Sequence, residues 1–166
     1  MAINREKGFA LLIAVIFMSV MLAIGLGLGS MSYKQQVLAS ASTGSQYAFY
    51  VADAALECAL YADQRDGLFA YPPDLSSVPA SPPGLTCNNN GAVPVESSQD
   101  YSATMYVVVN RLSFDSGRRC ADITVYKPAL VSDRTYIFSQ GYDASCATVA
   151  SPSTARIVSR GLSANY

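Results

Sequence analysis

The chain has 166 residues, a formal net charge of −1, 14% charged and 51% hydrophobic residues, and no histidine. A near-neutral chain without a basic cluster has no electrostatic basis for binding nucleic acid. The absence of histidine removes Ser-His-Asp and Cys-His catalysis, together with the commonest general base and transition-metal ligand.

Residues 1–8 read as a short charged leader ending in Arg5-Glu6-Lys7-Gly8. Phe9 to Met31 then run for 23 residues without a charge. As a helix this stretch is ~35 Å long, enough to cross the ~30 Å hydrocarbon layer of a membrane. Leu11, Leu12, Ile13, Val15, Ile16 and Phe17 leave it no polar face, so it belongs in lipid or in an apolar bundle. Gly25, Gly27 and Gly29 either soften its far end or, with Gly25 and Gly29 four apart, form a close-packing seam between helices. Arg5 and Lys7 precede the span and Lys34 is the first charge after it, with Glu6 diluting the bias. The positive-inside rule then predicts a single-pass membrane protein with a cytoplasmic N-terminus and an exported C-terminal part.

From Ser32 to Asp66 the sequence continues without proline. Tyr47, Val51, Ala54, Ala55, Cys58, Ala59 and Ala62 fall at three- and four-residue steps, predicting an amphipathic second half of the same helix. Asp66-Gly67 is its expected stop, with Asp63 and Asp66 solvated at the helix end. Gly44 and the Ser/Thr cluster from Ser40 to Ser45 leave open a break, and with it an anchor joined by a flexible linker to a separate helix. Residues 68–99 read as loop, because 71–84 hold five of the eight prolines and Cys87-Asn88-Asn89-Asn90-Gly91 is turn chemistry.

From Tyr101 the period becomes two. Tyr101, Ala103, Met105, Val107 and Val109 alternate with Ser102, Thr104, Tyr106, Val108 and Asn110 as a half-buried strand. Ser113 to Arg119 turns, Ala121 to Lys127 is a second strand, Lys127 to Asp133 turns, and Arg134 to Gly141 returns. Tyr142 to Thr154 is a loop and Arg156 to Leu162 a last strand. The expected class is α+β: a long N-terminal helix packed on a small antiparallel sheet.

Cys58, Cys87, Cys120 and Cys146 all lie in the part expected to be exported. An even count there suggests two disulfides, with three connectivities open. Zinc is the rival, against which stand the missing histidine and the lack of any ligand-pair spacing. Cys58–Cys87 is the favoured first bridge, because it pins the proline-rich loop to the helix end. Cys120–Cys146 is the favoured second, because a hairpin turning near Leu130 brings its two ends together.

The leader ending in Gly8, the apolar run GFALLIAVIFMSVMLAIGLGLGSMSY and the following SQYAFYVADAALECALY resemble the type IV pilins and pseudopilins. The closer likeness is to minor pilins of the PilX type. It covers roughly residues 7–61; residues 68–166 carry no family motif. The resemblance implies four segments: 1–8 leader, 9–31 transmembrane and fibre-core helix, 32–66 amphipathic helix, and 67–166 variable head. It implies cleavage between Gly8 and Phe9 by a prepilin peptidase, N-methylation of Phe9, an inner-membrane assembly platform, and partner subunits joined through the helix in a cell-surface or periplasmic filament. No cofactor or metal is implied.

One position departs from the family pattern. Four residues beyond the first mature residue the family commonly has a glutamate that pairs with a neighbour's N-terminal amine, and here that position is Ile13. A buried amine without a partner costs several kcal/mol, so the departure favours a tip or initiating position over the shaft. Two other classes remain as alternatives. One is a signal peptide cut after Ala39-Ser40-Ala41, releasing a binding domain; the other is a membrane-anchored enzyme. The eleven tyrosines fit either an adhesive surface or ordinary strands.

Overall fold

The computed structural model describes residues 6–87, 93–130, 132–152 and 156–166. Residues 1–5 of the leader, the 88–91 turn and the end of the 142–154 loop lie outside the described residues. The fold is α+β. Helix α1 (Glu6–Asp66) is followed by β1 (Val93–Tyr101), β2 (Met105–Phe114), β3 (Arg119–Pro128), β4 (Tyr136–Tyr142), helix α2 (Cys146–Ala150) and β5 (Ser159–Asn165). The chain forms two compact units, Met1–Ser42 and Thr43–Tyr166.

In the second unit the five strands form one antiparallel meander in the order β1-β2-β3-β4-β5. The part of α1 within this unit lays Ala48, Val51, Ala52, Ala55, Leu56, Ala59 and Ala62 against Val108, Leu112, Ile123, Val125 and Ile137, with Phe69 and Leu85 closing the core. The buried stripe is rotated from the expected one, since Tyr47 is 45% exposed and Ala54 also faces outward. Side-chain size decides this rotation. Alanines let the sheet come close enough that a Cβ on Gly141 would overlap the Ala48 carbonyl oxygen and stand 2.5 Å from the Ala52 nitrogen. At the same crossing Ser139 Oγ donates to the Ala52 carbonyl at 2.7 Å, satisfying a buried hydroxyl that would otherwise cost 1 kcal/mol or more.

The helix ends where the sequence places its stop. Gly67 takes φ +63°, a conformation that costs glycine nothing. Its N–H and that of Leu68 turn back onto the carbonyls of Asp63 and Ala62 at 3.2 and 3.0 Å, satisfying two of the acceptors a helix end leaves open.

Three sheet expectations are corrected. The end of the 68–99 segment is strand β1, which tolerates Pro94 because it lies at the sheet edge with a register irregularity between Pro94 and Glu96. The single strand expected from Tyr101 to Asn110 is divided, since Tyr101 ends β1 and β2 begins at Met105, and in β2 the buried set is Tyr106, Val108, Asn110 and Leu112. Three consecutive valines hide the phase from the sequence, and Asn110 fixes it. Its amide oxygen accepts from Leu85 N at 3.2 Å and Ser97 Oγ at 2.7 Å, and its amide nitrogen donates to the Pro83 carbonyl at 3.1 Å. A buried side chain in the sheet thus anchors the proline-rich segment. The last strand lies three residues later than expected, and the loop before it contains α2, capped by Ser145, whose Oγ accepts from Thr148 N at 3.3 Å.

Candidate functional site

Two regions carry chemistry that packing does not exhaust. The first is the apolar part of α1. Gly8 and Phe9 both lie within the helix, and Ile13 follows one turn on. Every large hydrophobic side chain from Phe9 to Met31 is 49–74% exposed. Ser19 Oγ donates to the Ile16 carbonyl at 2.8 Å, so this hydroxyl is satisfied on its own helix, as a lipid environment demands. A Cβ added at Gly25 or Gly29 would meet nothing within 4 Å. These glycines therefore answer no steric need within the chain, and both their readings stay open. The helix is long and apolar enough to cross a membrane.

The four cysteines form two pairs in the head. Cys58 of α1 joins Cys87 with Cα atoms 5.8 Å apart, and Cys120 of β3 joins Cys146 at the start of α2 with Cα atoms 4.8 Å apart. This is the connectivity the sequence favours. Among the described residues no group of three or more His, Cys, Asp or Glu side chains is arranged to hold a metal ion.

The second region lies at the C-terminal end of α1. Asp63, expected to be solvated, is instead buried, its side chain only 1% exposed. It sits in phase with Ala55, Ala59 and Ala62 and so faces the sheet. Lys127 continues the inward phase of Ala121, Ile123 and Val125, and its Nζ reaches Asp63 Oδ2 at 2.6 Å. The Tyr166 hydroxyl donates to the same oxygen, and among the described residues Asp63 Oδ1 has no hydrogen-bond partner. Burial first, then the adjoining carboxylate, pushes the Tyr166 phenol well above its ordinary pKa.

Above this pair opens a trough of about 940 Å³, bordered by Tyr71, Tyr101, Leu130, Asp133 and Thr135. Tyr71 donates to the Ser102 carbonyl at 2.9 Å and approaches the Tyr101 hydroxyl at 3.4 Å. That second contact, followed by desolvation, pushes the Tyr71 phenol up to about 12.

Comparison of the chain with protein-family models, curated proteins and solved structures finds no match.

The signal for the second region was present in the sequence as phase. Asp63 falls four residues after Ala59, and Lys127 two residues after Val125. A charged residue in phase with an apolar stripe announces either a strand end or a buried partner, and only the fold brings these two opposite charges together.

Proposed function

We propose that this protein is a structural filament subunit of the type IV pilin class. In this reading Phe9–Met31 holds it in a membrane before assembly and packs against other subunits' helices afterwards. The observation that carries the proposal is the exposed apolar surface of that segment, on a chain whose other compact unit is an α+β head with two disulfides. Exposed apolar area on this scale marks a surface that lipid or protein covers. An exported head accounts for the disulfides, and a long apolar helix followed by an antiparallel sheet is compatible with a pilin-like fold.

Gly8 and Phe9 are then the cleavage site of a prepilin peptidase, with Phe9 becoming the methylated N-terminus. The subunit belongs with the minor pilins of the PilX type, at the tip or in the initiating complex. Ile13 supports that placement, since it offers no carboxylate to a neighbour's buried ammonium. Imaging filaments with a label on the head tests the position. Label at filament ends, and fewer filaments of nearly unchanged length when the protein is deleted, are the expected results; uniform high-copy label along the shaft overturns the tip assignment. A secreted binding domain is the second reading, favoured by the boundary between the compact units at Ser42, directly after Ala39-Ser40-Ala41.

A further inference from the structure

The two edges of the sheet are built differently. Strand β1 carries Pro94, a register irregularity beside it, and the charges Glu96 and Asp100, devices that keep a strand edge from pairing with other chains. Strand β5, with the sequence Ser-Arg-Gly-Leu-Ser-Ala-Asn, has no proline, no lysine and an unbroken register with β4. Just past its end, Thr135 and Tyr166 exchange both backbone bonds, at 3.0 and 3.2 Å. Bonded pairs recur at every second residue of an antiparallel ladder. Arg160, Leu162 and Ala164 therefore turn their backbone groups to β4, while Ser159, Gly161, Ser163 and Asn165 turn theirs to the free edge. All four of these residues are exposed, and among the described residues their outward N–H and C=O groups have no partner.

Side chains decide what this edge accepts. Leu162 and Ala164 pack toward the core, and Arg160 Nε donates to Ser45 Oγ of α1 at 2.7 Å, so these three face the helix. Gly161 and Ser163 lie on the outer face. Because Gly161 has no side chain, the Phe138 ring leans across it, 3.1 Å from where a Cβ would stand. Phe138 is 42% exposed, and with Met105, Tyr126, Tyr136 and Ser163 it lines an uncharged groove of about 410 Å³ that reaches β5. A strand added at the edge sets a side chain beside Gly161 and against that ring, a place for an apolar residue. On the helix side it meets Arg160, the one charge of β5, which calls for an acidic residue. A second copy of β5 contains none, so self-pairing leaves Arg160 without a counter-charge.

We propose that the free edge of β5 binds an extended segment of another protein, which extends the sheet by one strand. The segment runs antiparallel to β5 and pairs its backbone with Ser159, Gly161, Ser163 and Asn165. It sets an apolar residue against Phe138 and an acidic one opposite Arg160. Main-chain bonds supply the attachment and the alternating side chains the selectivity. The proposal stands on the head alone, independently of the filament reading.

The test is amide hydrogen exchange, read by NMR, on the full chain in micelles. The probe is the peptide acetyl-Thr-Thr-Val-Leu-Val-Glu-Thr-amide, whose antiparallel register sets a valine opposite Gly161 and the glutamate opposite Arg160. One control peptide is N-methylated at both valines, and another carries lysine in place of glutamate. Without peptide, the amides of Leu162 and Ala164 exchange slowly and those of Gly161 and Ser163 fast. Saturating peptide is expected to slow Gly161 and Ser163 into the range of Leu162, and the methylated peptide to leave them fast. The lysine peptide is expected to bind about two- to fivefold more weakly, the scale of an exposed ion pair, and Arg160→Glu to reverse that preference. Slow exchange at Leu162 reports that β5 remains folded in the variant. Unchanged exchange at Gly161 and Ser163 with saturating peptide, equal protection by the methylated peptide, the same charge preference in Arg160→Glu, or protection of these amides by dimerisation of the chain without peptide overturns the proposal.

Discussion

Lys127 Nζ lies 2.6 Å from Asp63 Oδ2, joining the inward face of β3 to the last turns of α1 across a sequence separation of 64. The acid is buried and the base only partly so. Removing the base therefore strands a charge in the interior, and Lys127→Met is expected to destabilise the head by about 3–5 kcal/mol. Replacing both partners, with Asp63→Leu and Lys127→Met together, is expected to cost less than Lys127→Met alone, because no charge is left uncompensated. Urea unfolding of the full chain in micelles, followed through tyrosine fluorescence, measures both; a double variant less stable than the single one would contradict the account.

The pair is also where reading the sequence reached its limit. The helix, its stop at Gly67, the antiparallel sheet and both disulfides were legible, because each rests on local periodicity, turn chemistry or the position of cysteines at element ends. The rotation of the buried stripe toward Ala48 and Ala52 was not, because it depends on the sheet coming close at Gly141. The phase of β2 was hidden in Val107-Val108-Val109, where both faces carry the same residue type, and Asn110 resolves it only through partners far along the chain. Asp63 read as a solvated helix end for the same reason: its partner is 64 residues away.

Gly141 has backbone on its far side, and neither the Ala48 carbonyl nor the Ala52 amide can move without shifting α1. Gly141→Ala is expected to destabilise the head by about 1–3 kcal/mol, the range of overpacked core sites. Gly25→Ala, where a Cβ has open space, is expected to leave head stability unchanged. The same unfolding measurement separates the two sites.

Each disulfide closes a loop of moderate length, with sequence separations of 29 and 26. The chain-entropy estimate assigns each roughly 3–4 kcal/mol. Cys58→Ser with Cys87→Ser, and Cys120→Ser with Cys146→Ser, are therefore expected to lower stability by similar amounts. The first change is expected to expose the 70–87 segment to protease more than the second, since Cys87 is that segment's tie to α1. Limited proteolysis with mass-spectrometric mapping checks the difference.

Burial and the Asp63 carboxylate raise the Tyr166 phenol above its ordinary 10.0. In the interval between the unfolded and the folded value, the unfolded state has released the proton and the folded state still holds it. Stability is thus fully present below the ordinary phenol pKa and falls as pH rises past it. Tyr106 and Tyr142, raised chiefly by burial, act in the same direction. Tyr166→Phe is expected to flatten part of this alkaline loss, seen as a shallower fall of unfolding free energy with pH than in the parent chain. An identical slope would remove Tyr166 from the alkaline transition.

The central claim, a filament subunit released from a charged leader, is tested most directly by mass spectrometry of the mature N-terminus in cells that assemble such filaments. The account predicts a chain beginning at N-methylated Phe9, with both disulfides intact, and accumulation of the uncleaved form when Gly8 is replaced by a bulky residue. A mature chain beginning at Ser42, at Met1 or at Ala2, or normal maturation of the Gly8 variant, would contradict it.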